Sequence, residues 1–243
     1  MWLIRRNRNG TVGNSLFDVP ECCPGVSVIY WTLALLLGSP LLLLHELHGL
    51  TLRRGRLQAS SLRENLGRAP LLLYTWHGNW SLFIFAMRKF PLLRKVSCVG
   101  HNHFISLLFG VPLSYFGYRV YCFFLNGILT PTEQLAEPLL NNRALAIAPD
   151  SGGPYLKLKP GIIRLTQLTG AQLLPVVAHS DSDVMLSHRM HHRFPRLGSK
   201  IHCLIGKPVD LLEGTDQESL RLNIERCEQA LHLLALSSIN AST

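Results

Sequence analysis

Two short stretches of this chain carry residues that could do chemistry. The first is Trp76-His77-Gly78-Asn79, in which a lone imidazole stands beside a residue without a side chain. A near-neutral imidazole can accept or give up a proton around pH 7, and the glycine lets a backbone or substrate approach the ring closely. The second is Asp150-Ser151-Gly152-Gly153-Pro154. Its Gly-Gly turn offers bare backbone N–H groups, which suit an anion or a developing oxyanion. A satisfied structural histidine is the commoner role for a His taken at random; the Gly-Asn turn after His77 tilts the reading towards function.

The elements around these stretches would put both at the same edge of a sheet. Leu71 to Thr75 is apolar or β-favouring, as in a strand buried on both faces. Asn79 is a good N-cap for a helix over Trp80 to Phe90, so His77 sits in a tight turn between strand and helix. Ala144 to Ala148 is a second such strand, and it leads into Asp150. In open α/β sheets, ligands bind beyond the carboxyl ends of the strands. Further strands are expected at Val96 to Gly100, Gly117 to Phe124, Leu173 to Ala178 and Ile201 to Ile205. Thr51 to Ala69 reads as a polar-faced helix, and Thr130-Pro131-Thr132-Glu133 opens another with Pro near its start. Ile162 to Leu168 is a helix closed by Gly170. The last helix has a capping box, Thr215 to Glu218, and buries Leu220, Ile224, Cys227, Leu231 and Leu234. Alternating strands and helices argue an α/β fold with a largely parallel sheet flanked by helices.

Composition narrows the partners. Apolar residues make up 47% of the 243 and charged ones only 16%, yet 24 Lys and Arg against 15 Asp and Glu leave a formal charge of +9. A chain both basic and apolar fits an anionic membrane surface better than nucleic acid, for which no basic stripe with interleaved aromatics is found. The nearest candidate, His188-Arg189-Met190-His191-His192-Arg193, reads as a solvated loop. Val26 to Leu44 carries no charge and is long enough for a membrane span, though Ser39-Pro40 interrupts it. Basic residues flank it on both sides (Arg5, Arg6, Arg8; then Arg53, Arg54, Arg56), which favours a helix lying in one leaflet over a clean crossing. Residues 1–50 therefore read as an arm with a membrane-associated apolar segment, and 51–243 as the α/β domain.

No metal is expected. His45-Glu46-Leu47-His48 is one residue short of His-Glu-x-x-His, and His101-Asn102-His103 has no Cys or carboxylate nearby to complete a ligand set. The six cysteines show no Cys-x-x-Cys spacing and read as reduced core residues of a protein on the cytoplasmic face of a membrane; Cys22-Cys23 precedes the apolar segment, where acylation is conceivable.

The Asp150 to Pro154 run reproduces most of the nucleophile motif of trypsin-like serine proteases, but that reading needs an all-β double barrel and a separate His motif, both absent. An α/β hydrolase would need a Gly-x-Ser-x-Gly elbow, also absent. Taken together, Trp76-His77-Gly78, Ala148 to Pro154, Lys159-Pro160-Gly161, Gly170-Ala171 and Leu174-Pro175-Val176 resemble the lysophospholipid acyltransferase superfamily. The closest likeness is to a bacterial branch with Trp-His-Gly and Pro-Asp-Gly-Pro-type blocks. His77-Gly78-Asn79-Trp80 also echoes the His-x-Gly-Asn-Trp-Glu block of lipid A acyltransferases. The likeness runs from about Ala69 to Leu212 with order and spacing preserved.

The resemblance implies transfer of a fatty acyl group from acyl-CoA or acyl carrier protein to a hydroxyl on a membrane lipid, with no resident cofactor. It makes His77 the general base on the acceptor hydroxyl. In the family pattern an Asp five residues on orients the ring; Leu82 stands there in this chain. Asp150 is the first candidate to replace it and His103 the second. The family's Glu-Gly-Thr-Arg phosphate block is replaced by Pro149-Asp150-Ser151-Gly152-Gly153, so Lys157, Lys159 or Arg164 would meet the acceptor phosphate. Gly78, Asn79, Ser151, Gly152 and Gly153 complete the expected substrate contacts. The alternative is a catalytically inactive relative that binds lipid or a protein partner.

Overall fold

The computed structural model of the protein describes residues 24–101, 118–123, 130–142, 144–151 and 153–240. Arg5, Arg6, Arg8, Cys22, Cys23, Asn102, His103 and Gly152, on all of which expectations rest, lie outside the described residues.

The strands are β1 (Arg53–Gln58), β2 (Leu71–Tyr74), β3 (Ser97–His101), β4 (Val120–Phe123), β5 (Ala144–Ile147), β6 (Gln172–Ser180), β7 (Asp183–Ser187), β8 (His192–Pro195) and β9 (Lys200–Ile205). The helices are α1 (Pro24–Thr51), α2 (Ser60–Asn65), α3 (Trp80–Lys89), α4 (Pro131–Asn142), α5 (Gly161–Thr169) and α6 (Gln217–Asn240). Seven strands make one sheet in the order β1-β9-β6-β2-β5-β3-β4, while β7 and β8 form a separate hairpin. From β6 to β4 every neighbouring pair is parallel; β9 runs antiparallel to β6, and β1 follows β9.

Period-two alternation of these strands divides the interior into two cores. Leu71 and Leu73 of β2, Ala144 and Ala146 of β5, and Leu174 and Val176 of β6 face one, where α3 supplies Leu82, Phe83 and Phe85. Leu72, Tyr74, Leu145, Leu173 and Val177 face the other, against Leu139 of α4, Ile162 and Ile163 of α5, and Cys227 and Leu231 of α6. All four residues of β2 are fully buried, as a central parallel strand covered on both faces requires. The chain leaves β2 towards α3 on one face and leaves the adjacent β5 towards α5 on the other. Beyond their carboxyl ends the two connections diverge, which is the geometry of a topological switch point.

Local signals explain most boundaries. Thr130 and Glu133 form a reciprocal capping box at the start of α4: Glu133 accepts from the Thr130 N–H (2.7 Å) and Thr130 Oγ1 accepts from the Glu133 N–H (3.3 Å). Gly170 closes α5 in the left-handed conformation, φ 63°. Three expectations need correction. The helix expected over Thr51 to Ala69 is instead β1 followed by α2, because β1 is an edge strand held by parallel pairing to β9, and its largely polar sequence hides it. The cap of α6 falls one residue later than expected, with Asp216 accepting from the Ser219 N–H (2.9 Å). Asn79 occupies the N-cap position of α3, but its side chain makes no capping bond because 77–79 form a short 3₁₀ turn.

The Val26 to Leu44 run lies within α1, which continues through Pro40. Among the described residues, no helix is long and apolar enough to cross a membrane. The packing of α1 is inverted relative to an ordinary surface helix. Its inward face carries Gly38, Leu42, Glu46 and Gly49, with Glu46 paired to Arg88 of α3 and His45 stacked on Phe85 at 3.9 Å. Its outward face carries exposed leucines, among them Leu36 (66%), Leu44 (63%) and Leu50 (66%). Cys98, Cys203 and Cys227 are free and buried, as expected of reduced core residues.

Candidate functional site

The site forms where β2 and β5 end side by side. Their pairing runs one rung past β2, the Thr75 N–H donating to the Ile147 carbonyl at 3.2 Å. The chain then turns through 77–79, and the Asn79 N–H closes the turn on the Trp76 carbonyl at 2.9 Å. Across the gap, Asp150 is completely buried. One of its carboxylate oxygens accepts from the His77 N–H (2.8 Å) and the other from the Leu156 N–H (3.1 Å). One buried carboxylate therefore ties the two βα turns together, and a charge so placed is tolerated because both oxygens are hydrogen-bonded.

Asp150 thus meets His77 at the main chain; among the described residues no hydrogen bond joins its carboxylate to the imidazole. Its charge still acts on the ring. Burial pushes the half-buried His77 below the ordinary histidine value, while the Asp150 carboxylate pulls partly the other way, and burial wins. The imidazole is consequently neutral at pH 7 and able to accept a proton.

Other expected site residues are already engaged. The Ser151 N–H donates to the Ala148 carbonyl (3.2 Å) and the Gly153 N–H to the Asp150 carbonyl (3.0 Å), so these two amides are committed to the turn and not held open for an oxyanion. Gly153 has φ +73°, which explains a glycine there. Lys159 donates its ammonium to the Ser151 carbonyl, and Lys157 is exposed. Arg164 lies on α5, lining a shallow pocket with Gln167, Gly214, Thr215 and Leu220, none of which belongs to the His77 cluster.

The structure adds three residues that the sequence reading missed. Tyr155 lies along His77, ring centroids 6.0 Å apart and planes 26° from parallel. His192 of β8 also approaches His77, with ring centroids 6.3 Å apart and planes at 45°. Ser81, the second residue of α3, is hydrogen-bonded through Oγ to His192 Nε2 at 2.7 Å. Burial and the neighbouring His77 push His192 below its ordinary value, so it too is neutral at pH 7. The solvated loop expected at 188–193 is largely that, with His188, Arg189, His191 and Arg193 exposed, but its half-buried His192 enters the site.

Gly78 makes that closure possible. A Cβ on Gly78 would stand 2.3 Å from the His191 carbonyl oxygen and 2.6 Å from that of Met190, so the hairpin turn rests directly on the backbone of the His77 turn. His191 itself adopts φ 51°, and the Met190 N–H is held by Ser187 Oγ (3.2 Å), which keeps the turn tight. A Gly after a candidate catalytic His signals close approach; here the approaching group is the protein's own chain. Seen together, these residues offer two neutral imidazoles, a hydroxyl and an aromatic ring at the carboxyl ends of β2 and β5, a set suited to proton transfer. No protein-family model matches the chain, and no curated protein matches it.

Proposed function

We propose that the protein is a membrane-attached O-acyltransferase that moves a fatty acyl group from acyl-CoA or acyl carrier protein to a hydroxyl of a lysophospholipid-like acceptor. The observation that carries this reading is the neutral, half-buried His77 at the end of β2, its turn pinned by the buried carboxylate of Asp150. His77 takes the acceptor's hydroxyl proton as the oxygen attacks the thioester carbonyl, and the C–S bond breaks to release the thiolate, which leaves with that proton. Asp150 acts as a positioning residue: it fixes the main chain of the turn, and its charge favours the imidazolium formed in transit. Lys157 is free to meet an acceptor phosphate, with Lys159 beside it.

The inverted α1 supports the membrane part of the reading. An exposed leucine face on a helix whose polar residues point inward is costly in water and suited to the acyl boundary of one leaflet. The net charge of +9 adds attraction to anionic lipid. The test is transfer of labelled acyl groups from acyl-CoA and acyl carrier protein to a panel of lysolipids in vesicles, comparing wild type with His77→Ala. Transfer that depends on His77 supports the reading. Equal transfer by both removes His77 from the chemistry.

A second reading, an inactive lipid-binding relative, is favoured by the completely buried Leu82 standing where the resemblance asks for an acid. It expects flotation with vesicles and no transfer to any acceptor.

A further inference from the structure

We propose that Ser81 is a nucleophile that carries the acyl group as an ester, with His192 as its base. Strand β2, a tight turn and helix α3 place Ser81 just after the His77 turn, in the first turn of a helix, where developing negative charge on the side chain is favoured. The independent observation is the 2.7 Å contact between Ser81 Oγ and His192 Nε2, two residues 111 positions apart in the chain. That distance lies within the range required of a nucleophile and its base. With the imidazole proton on Nδ1, Nε2 accepts from the hydroxyl.

The contact is framed on both sides. Phe194, two residues along β8, packs edge-on against Phe85 of α3 (5.4 Å) and against His48 of α1 (4.9 Å). The turn preceding His192 rests on Gly78. Hairpin and helix are thereby locked in the register that places imidazole on hydroxyl. Among the described residues no carboxylate pairs with His192, so the arrangement is a dyad.

In the charging step Ser81 Oγ attacks the thioester carbonyl carbon and its proton passes to His192 Nε2. The C–S bond breaks, and the thiolate leaves as a thiol with that proton. In the discharge step the acceptor hydroxyl loses its proton to His77, its oxygen attacks the Ser81 ester, and the proton ends on the departing Ser81 Oγ. Discharge rests on the acyl-transfer reading above, with the Ser81 ester in place of the thioester as the group the acceptor oxygen attacks; charging does not.

The experiment uses full-length protein in detergent, incubated without acceptor with a series of acyl-CoA thioesters, quenched in acid and read by intact mass and peptide mapping. Expected are one acyl group on the peptide holding Ser81, a matching burst of free CoA, loss of both in Ser81→Ala, and charging slowed by about two orders of magnitude or more in His192→Ala. Ser81→Cys guards against a folding artefact: it should still charge, now as a thioester cleaved by neutral hydroxylamine. No adduct with any thioester, or transfer to lysolipid at the wild-type rate by Ser81→Ala, overturns the proposal. An adduct that discharges to water and to no lysolipid upholds Ser81 and overturns the acceptor reading instead.

Discussion

Among the described residues two pairs of histidines come together, one within the main sheet and one beyond its strand ends, and they are assembled in opposite ways. His179 and His202 face each other across the antiparallel pairing of β6 and β9 and stack at 4.8 Å, 12° from parallel. His202 Nδ1 accepts from the Arg56 N–H at 3.1 Å, so the neighbouring edge strand completes the arrangement. Regular sheet register makes this pair, and Gly55 leaves room for the His202 ring, which a Cβ there would meet at 2.8 Å. His77 and His192 come from a strand-end turn and a detached hairpin, and they meet only because Gly78 admits the hairpin and Asp150 holds the turn. Burial depresses both pairs, so lowered histidine basicity does not separate a site from a scaffold. What separates them is the company: Ser81 and Tyr155 at one, the Asp181 carboxylate and the paired strands at the other.

The comparison breaks most directly by mutation. His77→Ala should lower acyl transfer by about two to four orders of magnitude, the usual worth of a general base. His179→Ala should leave the transfer rate of the purified protein within a few-fold of wild type. Equal losses in the two variants would mean that the sheet pair shares the chemistry.

Asp150→Asn sharpens the distinction between pinning and orienting. A carboxylate accepts both the His77 and Leu156 N–H groups, whereas an amide accepts one and sets its own NH₂ against the other. The expected cost is about 1–3 kcal/mol, read by urea unfolding. The same change removes the charge that raises His77. If the neutral ring is the base, as proposed, the acidic limb of the rate profile, already below 6.5, should move to still lower pH. A limb that stays in place would confine Asp150 to the backbone.

Gly78→Ala tests whether the hairpin really rests on the turn. Its Cβ meets two main-chain carbonyls, which do not yield as a flexible side chain would. A destabilisation of about 1–3 kcal/mol is expected, together with loss of the Ser81–His192 contact in a crystal structure of the variant. Unchanged stability would show the hairpin to be free of the site.

A further effect concerns acid. His45 and His179 are held down to about 4, mainly by burial. The unfolded chain binds protons at these positions that the folded chain refuses, so stability rises with pH. It should be complete above about 6.5 and decline as pH falls towards 4, in a plot of melting temperature against pH. His179→Gln should flatten part of that slope, whereas a slope left untouched would place the acid sensitivity elsewhere.

The legible parts of the fold were those with a local physical signature. The runs at β2, β5 and β6 are apolar because both faces are covered, and Thr130, Glu133 and Gly170 mark helix ends by side-chain or backbone chemistry that acts within a few residues. Strand β1, Arg-Arg-Gly-Arg-Leu-Gln, has no such signature, since only its pairing with β9 makes it a strand. The site divides in the same way. His77 and Asp150 were readable because each directly follows an apolar strand. Ser81 and His192 were not, because a hairpin of polar, charged and apolar residues without clear alternation gives no hint of where its turn will land.

Phe194 has a practical consequence for anyone who wants a shorter protein. It packs in a cluster with His48 of α1 and Phe85 of α3, on the same face of β8 as His192. Trimming the chain at residue 51 to discard the greasy leucines would also take away His48, one member of that cluster, together with the partner of Arg88. The fragment would be easier to handle and would have lost the brace that keeps His192 on Ser81.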